Sequence, residues 1–418
     1  MRKKQSIYLN EVAITGIGVV SPVGNSYKDL VNCARSAKSG IGPITQFDAS
    51  VFGCKLAAEV KDFSIDEFGR EVKRMDRTSQ FAIVAAKRAF EDAKIKVPVE
   101  ENCGAIIGSV AGGANSYESG HDALKTHGPK RVNPFCITRS ISNMPSANVA
   151  IFFGLHGSNF AINTACSTSN TAIGHAYKHL RFQNAIAKKY RCDYIIAGGT
   201  DSCITPLGIA GFDAMMALTN DKMRPFDLNR SGFIIGEGCV LLVLETLEHA
   251  LNRKAKIYAI IRGFGENCDA YHIAAPHPEG EYAAKCMQMA LDDADLVPGN
   301  IGYINAHACA TKAGDWAETK AIKMACGDAV YRIPVSSSKP LTGHLLAAAG
   351  AIESVFCIIA LRDGIVVPTI NYETPDPKCD LCYIVNECKQ YDANFAMNNS
   401  FGFGGQNAVL IFEKYNDA

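Results

Sequence analysis

The chain has 418 residues, 48% of them hydrophobic and 20% charged, the balance of a folded soluble protein and not of a disordered one. Forty-two basic residues meet forty-two acidic ones, which excludes a global field for nucleic acid or for an anionic membrane. The start, "MRKKQSIYLNEVAITG", lacks the apolar core of a signal peptide, and no later run is long enough to insert into a bilayer, so the expected compartment is the cytoplasm. There the sixteen cysteines stay reduced and mostly fill apolar space.

Apolar runs bounded by turn residues predict strands over "EVAITGIG" (11–18) and "CGAIIGSV" (103–110), with a helix over "TSQFAIVAAKRAFEDAK" (78–94) between them. Strands follow over "DYIIAGG" (193–199), "CVLLVLE" (239–245) and "IYAIIRGFG" (257–265). The helix "EYAAKCMQMALDDAD" (281–295), the strand "IGYINAHA" (301–308), the helix "WAETKAIKMAC" (316–326) and the strand "FAMNNSFGFGG" (395–405) complete the alternation. No linker interrupts it, so one compact α/β body is expected. The pattern is duplicated, with one half over residues 1–255 and another over 256–418. Each carries a small-residue loop feeding a helix: "NTACSTSNTAIGHA" (163–176) and "SSSKPLTGHLLAAAGAIES" (336–354). Loops at the carboxyl ends of the strands would converge on one site.

In the first loop, Ser167, Thr168, Ser169 and Asn170 are residues that begin helices, which places Cys166 at a helix start. Unpaired N–H groups there favour a thiolate by roughly 1 to 2 kcal/mol, about one pKa unit, and can donate to an oxyanion. A buried structural cysteine is the alternative. Cys379, Cys382 and Cys388 lie close together in "CDLCYIVNEC" (379–388), but no second paired set follows, so no metal is expected. Two histidines supply partners for a nucleophile. His307 follows the strand "IGYIN", and His344 lies five residues after Lys339 and nine before Glu353 on a run of small residues.

The ordered set "ACS", "NAH…T…GD…E", "K…TGHLLAAAGAIES" and "NSFGFGG" resembles the elongating β-ketoacyl-acyl carrier protein synthases of the thiolase superfamily, from "VAITGIGVVSPVGN" to "NSFGFGGQNAVLIF". The resemblance implies two duplicated α/β halves in a five-layer αβαβα sandwich, with no cofactor. It implies that Cys166 is acylated, and that His307 and His344 act as neutral Nε2–H donors to the malonyl thioester as it decarboxylates. Lys339 would set the local field with Glu353. Phe401 would gate the cysteine and complete its oxyanion hole through its backbone N–H. Ala111, Phe212 and Phe233 are implied to line the acyl pocket, and Thr311 and Phe403 to contact substrate. The implied partner is an acyl carrier protein bearing phosphopantetheine-bound acyl and malonyl groups, met at Arg70, Lys73, Arg74, Lys130 and Arg131. The assembly would be a homodimer, or a heterodimer with a chain-length factor.

The chain departs from the family at Ala308 and Cys309, where a glycine and a hydroxyl residue are usual, and at Ala274 and Ala275 in place of a Thr-Ser pair. Met216 stands where many relatives carry a docking arginine, and about seven residues are added around "RFQNAIAKKY". These changes fit a dedicated secondary-metabolite pathway somewhat better than housekeeping lipid synthesis, with fatty-acid and type II polyketide elongation both open. A non-decarboxylating thiolase would need a second cysteine near the carboxyl terminus, and "NSFGFGG" contains none. A scaffold with a dead site does not fit Cys166, His307 and His344 together, and a serine hydrolase lacks its G-x-S-x-G elbow.

Overall fold

Strand β1 (Val12–Val20) is buried at all nine positions because it runs through the middle of a sheet and not along its edge. The computed structural model describes residues 9–99 and 102–416. After β1 come α1 (Arg77–Asp92), β2 (Cys103–Gly108), α2 (Met144–Phe153), β3 (Asn159–Phe160), α3 (Thr168–Phe182), β4 (Tyr194–Asp201) and β5 (Gly238–Thr246). The second half supplies β6 (Ala259–Cys268), α4 (Glu281–Ala294), β7 (Tyr303–Asn305), α5 (Lys312–Cys326), β8 (Val335–Ser336), α6 (Ala349–Arg362), β9 (Phe395–Gly402) and β10 (Gln406–Glu413).

The strands lie in the order β3-β2-β4-β5-β1-β6-β10-β9-β7-β8. Within each half the order is the same when counted from that half's first strand. The directions match too: β3, β2 and β4 are parallel to one another, as are β8, β7 and β9, while β5 and β1 pair antiparallel, as do β10 and β6. The duplication expected from the loops is thus present in the topology. The halves are joined by antiparallel pairing of Val12–Ile14 with Ala259–Ile261, a hydrogen-bonded seam that the sequence pattern did not indicate.

Helices α1 and α2 cover the outer face of the first half, and α4 and α5 that of the second. Between the halves, α3 packs on both β4 and β10, and α6 on both β9 and β4, giving five layers in the thiolase-like arrangement. Helix α6 is buried from Ala349 through Leu361, which explains why its sequence, Glu353 apart, is apolar or small on every side and not amphipathic. Its first turn admits close backbone approach: a Cβ on Gly350 would come within 2.5 Å of the Asn170 side-chain oxygen on α3. No helix among the described residues is long and apolar enough to cross a membrane. The cysteines are free thiols, most of them buried.

Candidate active site

The nucleophile candidate sits on a strained turn held by its small polar neighbours. Ala165 has φ 50°, a left-handed conformation that costs a non-glycine residue roughly 1 to 2 kcal/mol. Short bonds hold it there. Asn163 Oδ1 accepts from the Ala165 N–H (3.1 Å), and Thr168 Oγ1 accepts from the Thr164 N–H (2.9 Å) while donating to the Ala165 carbonyl (2.6 Å). Ser167 Oγ donates to the carbonyls of Thr164 (2.7 Å) and Gln406 (3.0 Å). The hydroxyl run therefore fixes Cys166 at the head of α3, with no side chain capping the first turn.

The β9–β10 connection closes over this turn. A Cβ on Gly402 would lie 2.4 Å from the Thr164 carbonyl and 3.2 Å from the Cys166 nitrogen, so only a glycine lets the two backbones approach. Of the backbone N–H groups here, that of Phe403 acts on the Cys166 sulfur, favouring its charged form against the burial that opposes it. This corrects the expectation for Phe401, whose backbone pairs with Asn407 in the β9–β10 ladder and whose ring faces His307 at 5.9 Å. In "SFGFGG" the two phenylalanines are one glycine apart, and the end of β9 separates them: Phe401 is paired in the ladder, while Phe403 lies in the glycine turn beyond it.

Burial pushes the Cys166 thiol up to about 12, with Cys309 adding to the rise and Lys339 opposing it. The expectation of a lowered thiol is overturned. Raising a thiol that far corresponds to roughly 4 kcal/mol, more than the 1 to 2 kcal/mol a helix end supplies. The group resting in this site is a neutral thiol.

His307 follows β7 and His344 follows β8, so both leave the carboxyl ends of parallel strands and their ring centroids lie 5.5 Å apart. Nδ1 of His307 faces the Lys339 ammonium at 3.5 Å, and Nδ1 of His344 accepts from the Leu346 N–H at 3.3 Å. With Nδ1 used as acceptor in each ring, the proton resides on Nε2. Burial drives both imidazoles well below 6.5, and the Lys339 charge adds to it, so both are neutral. Lys339 is ion-paired with the Glu353 carboxylate, both fully enclosed, and burial raises Glu353 to about 7 against the opposing pull of Lys339.

Two carboxylates without an assigned role in the sequence complete the frame. Glu318 on α5 accepts from the N–H groups of His307 (2.8 Å) and Ala308 (2.7 Å) and from Asn399 Nδ2 (3.2 Å). Asp201, at the end of β4, accepts from Ser109 Oγ (2.7 Å) and the N–H groups of Val110 (3.1 Å) and Ala347 (2.8 Å). It thereby ties the loop after β2 to the loop carrying His344. Burial raises Glu318 to about 7 and Asp201 to about 6. Glu318 is the closing acid of the motif "NAH…T…GD…E", which gave it no role, and Asp201 showed only as an acid after an apolar run in "GGTDSC", where a surface position reads the same.

A cavity of about 300 Å³ opens onto His307, Cys309, Thr311, Phe401 and Phe403. Thr311 Oγ1 accepts from the Gly314 N–H (3.2 Å) and so caps α5. Phe233 packs edge-on against His344 (5.1 Å) and Phe212 (5.6 Å), and Phe212 continues to Phe403 (6.4 Å). Ala111 is exposed, on the loop held by Asp201. Arg70, Lys73 and Arg74 are exposed around a four-residue helix, with Lys73 paired to Asp66 (3.3 Å), and Lys130 and Arg131 are exposed on a separate turn. These five cations are not part of the cavity wall.

The chain matches the family description Beta-ketoacyl synthase, N-terminal domain, over residues 9–250, and Beta-ketoacyl synthase, C-terminal domain, over residues 258–373. It is 44% identical to 3-oxoacyl-acyl-carrier-protein synthase 2 of Staphylococcus aureus (strain COL), covering 97% of this chain and 98% of that one. The protein of the same name from Coxiella burnetii is also 44% identical, over 97% and 99%. Among solved structures, the ishigamide ketosynthase/chain length factor superposes with a TM-score of 0.90 at 32% identity, covering 98% of this chain and 100% of the other. A type II polyketide ketosynthase in complex with its acyl-carrier protein gives 0.87 at 32% identity, covering 97% and 100%. With the duplicated fold and this site, the matches show that the chain belongs to the β-ketoacyl synthase family and is a condensing acyltransferase of chain elongation.

Proposed function

We propose that Cys166 carries the growing acyl chain and that His307 and His344 act on the malonyl donor. In the first step the Cys166 sulfur attacks a carrier-bound acyl thioester. The new S–C bond forms on Cys166, the carrier's sulfur leaves, and it takes up the proton that the thiol gives away. The Phe403 N–H, beside the sulfur, would donate to the carbonyl oxygen as it becomes negative. In the second step the malonyl thioester loses carbon dioxide, and its electrons form the carbon–carbon bond to the acyl carbonyl as the Cys166 thioester breaks. Two neutral Nε2–H donors suit the enolate oxygen of that step, since stabilising charge, and not removing a proton, is the task. Lys339, with Glu353, holds His307 in the tautomer this requires.

The N-terminal half, 1–255, thus supplies the nucleophile and the C-terminal half, 256–418, the imidazoles. The carrier is an acidic acyl carrier protein, for which Arg70, Lys73, Arg74, Lys130 and Arg131 offer exposed positive charge. The 44% identity to relatives named 3-oxoacyl-acyl-carrier-protein synthase 2 supports elongation on an acyl carrier protein, with fatty-acid elongation as the first reading. A polyketide role with a chain-length factor as second subunit is the alternative, supported by the pairing named for one solved relative; otherwise the second subunit is a copy of this chain.

The observation that supports the proposal is a pair of neutral imidazoles with ring centroids 5.5 Å apart beside Lys339, whose charge acts on both rings and on the buried Cys166 sulfur. Cys166→Ala should abolish acyl loading, read by intact-protein mass after incubation with acyl carrier. His307→Ala and His344→Ala should load normally but lose malonyl decarboxylation by at least about 100-fold. Loading of the Cys166→Ala protein at another residue would overturn the assignment.

A further inference from the structure

A cavity of about 430 Å³ lies between the carboxyl ends of α1 and of the short helix Leu247–Asn252. Its wall carries five cations, Lys94, Lys96, Arg253, Lys254 and Lys256, against one carboxylate, Asp92. The cavity is separate from the Cys166 site. Tyr194, in its wall, opens β4, and Asp201, at the site, closes that strand about 23 Å further on.

One sequence device builds both sides. "DAKIK" (92–96) and "NRKAK" (252–256) each follow a helix and set two lysines one residue apart. Lys94 (φ 57°) and Lys254 (φ 56°) take the left-handed position just past the helix, where glycine or asparagine is usual. A lysine there costs backbone stability that glycine would not, so local folding does not explain the choice.

The acids beside the cavity are engaged. Asp92 accepts from the Ile17 N–H (2.9 Å) and the Tyr258 hydroxyl (3.0 Å) and faces Lys256 at 3.7 Å. Buried Glu245 accepts from Arg253 Nε (2.9 Å), and Arg253 Nη1 donates to the Ala93 carbonyl (2.8 Å), which pins the two sides together. Among the described residues no ion pair engages Lys94, Lys96 or Lys254, all three exposed. The two helix ends bring at most about one negative charge between them, less than these three ammonium groups.

We propose that this cavity binds a polyphosphate chain of two or three linked phosphates, free or carried on a nucleoside, with Lys94 and Lys96 meeting it from one wall and Lys254 from the other. A chain of several charges can meet both walls at once, which a single phosphate cannot.

Calorimetric titration of the full chain, at neutral pH and low salt, compares inorganic triphosphate, ATP and inorganic phosphate. Triphosphate should bind once per chain and at least about tenfold tighter than phosphate. Lys94→Gln and Lys254→Gln should each weaken it about fivefold, the order of one partly exposed ion pair. Neither side chain takes part in an ion pair, so both variants should keep the circular dichroism of the parent. Joint Lys130→Gln and Arg131→Gln substitution removes charge elsewhere on the surface and should leave the affinity unchanged. ATP binding more tightly than triphosphate identifies a nucleoside polyphosphate as the ligand, and equal or weaker binding identifies the free chain. No binding of either, or equal weakening by the Lys130 and Arg131 substitutions, overturns the site: the lysines would then only offset the two helix ends.

Discussion

At the residue scale, the site separates into what side-chain identity reveals and what only burial decides. Cys166, His307 and His344 each sit just past an apolar run and before small residues, a pattern that by itself fits a structural residue as well, and it is the resemblance of the ordered motifs that singles them out. Their protonation was legible only for the histidines. The thiol was misread because the helix end was weighed without the desolvation that opposes it. Burial also fixes a testable pH effect. Both imidazoles are held well below 6.5, so below that pH the unfolded chain binds protons that the folded one refuses, and stability is lost on acidification. Glu318 and Glu353, raised to about 7, act with the opposite sign. The difference between parent and His307→Asn in urea unfolding isolates the imidazole: the parent should lose about 1.4 kcal/mol relative to the variant between pH 7.5 and 5.5. A pH-independent difference would show that His307 is not held neutral.

At the element scale, long periodic helices and six- to ten-residue buried strands were readable, while β3 and β8, two residues each, fall below any period. These short strands position the site all the same, since Cys166 and His344 follow them in the chain. Strand β10 has no counterpart among the predicted elements, because the strand expected over 395–405 runs through the glycine turn that in the structure separates β9 from β10. That connection is where backbone geometry governs chemistry. Gly402→Ala would drive a methyl into the Thr164 carbonyl, at 2.4 Å, and crowd the Cys166 nitrogen. The turn must shift by a few tenths of an ångström or more, and misplacement near 1 Å costs about 100-fold in rate. Acyl loading followed by intact mass should therefore slow at least tenfold while circular dichroism stays that of the parent. Loading at the parent rate would mean that the two backbones do not need this approach.

At the scale of the whole molecule, duplication explains why one site draws on both ends of the chain. Matching strand orders, with helices α3 and α6 each packed on strands of both halves, turn the loops of the two halves toward each other, so in the proposed mechanism a nucleophile from one half meets hydrogen-bond donors from the other. The three-residue seam between β1 and β6 is too short to set that alignment alone. Helices α3 and α6 and a few buried polar ties set it. Asp201 is such a tie: it ends a strand of the first half and accepts from the Ala347 N–H of the second, three residues after His344. Asp201→Ala would leave the Ser109 hydroxyl and the Val110 and Ala347 N–H groups without this acceptor, a loss of about 3 kcal/mol or more in a site closed to water. The half carrying Cys166 keeps its own turn, since none of that turn's hydrogen bonds involves Asp201. Malonyl decarboxylation should therefore fall further than acyl loading, by about tenfold or more, as the His344 loop loses its anchor. If loading and decarboxylation fell in parallel, Asp201 would be supporting the fold at large and not the register between the halves.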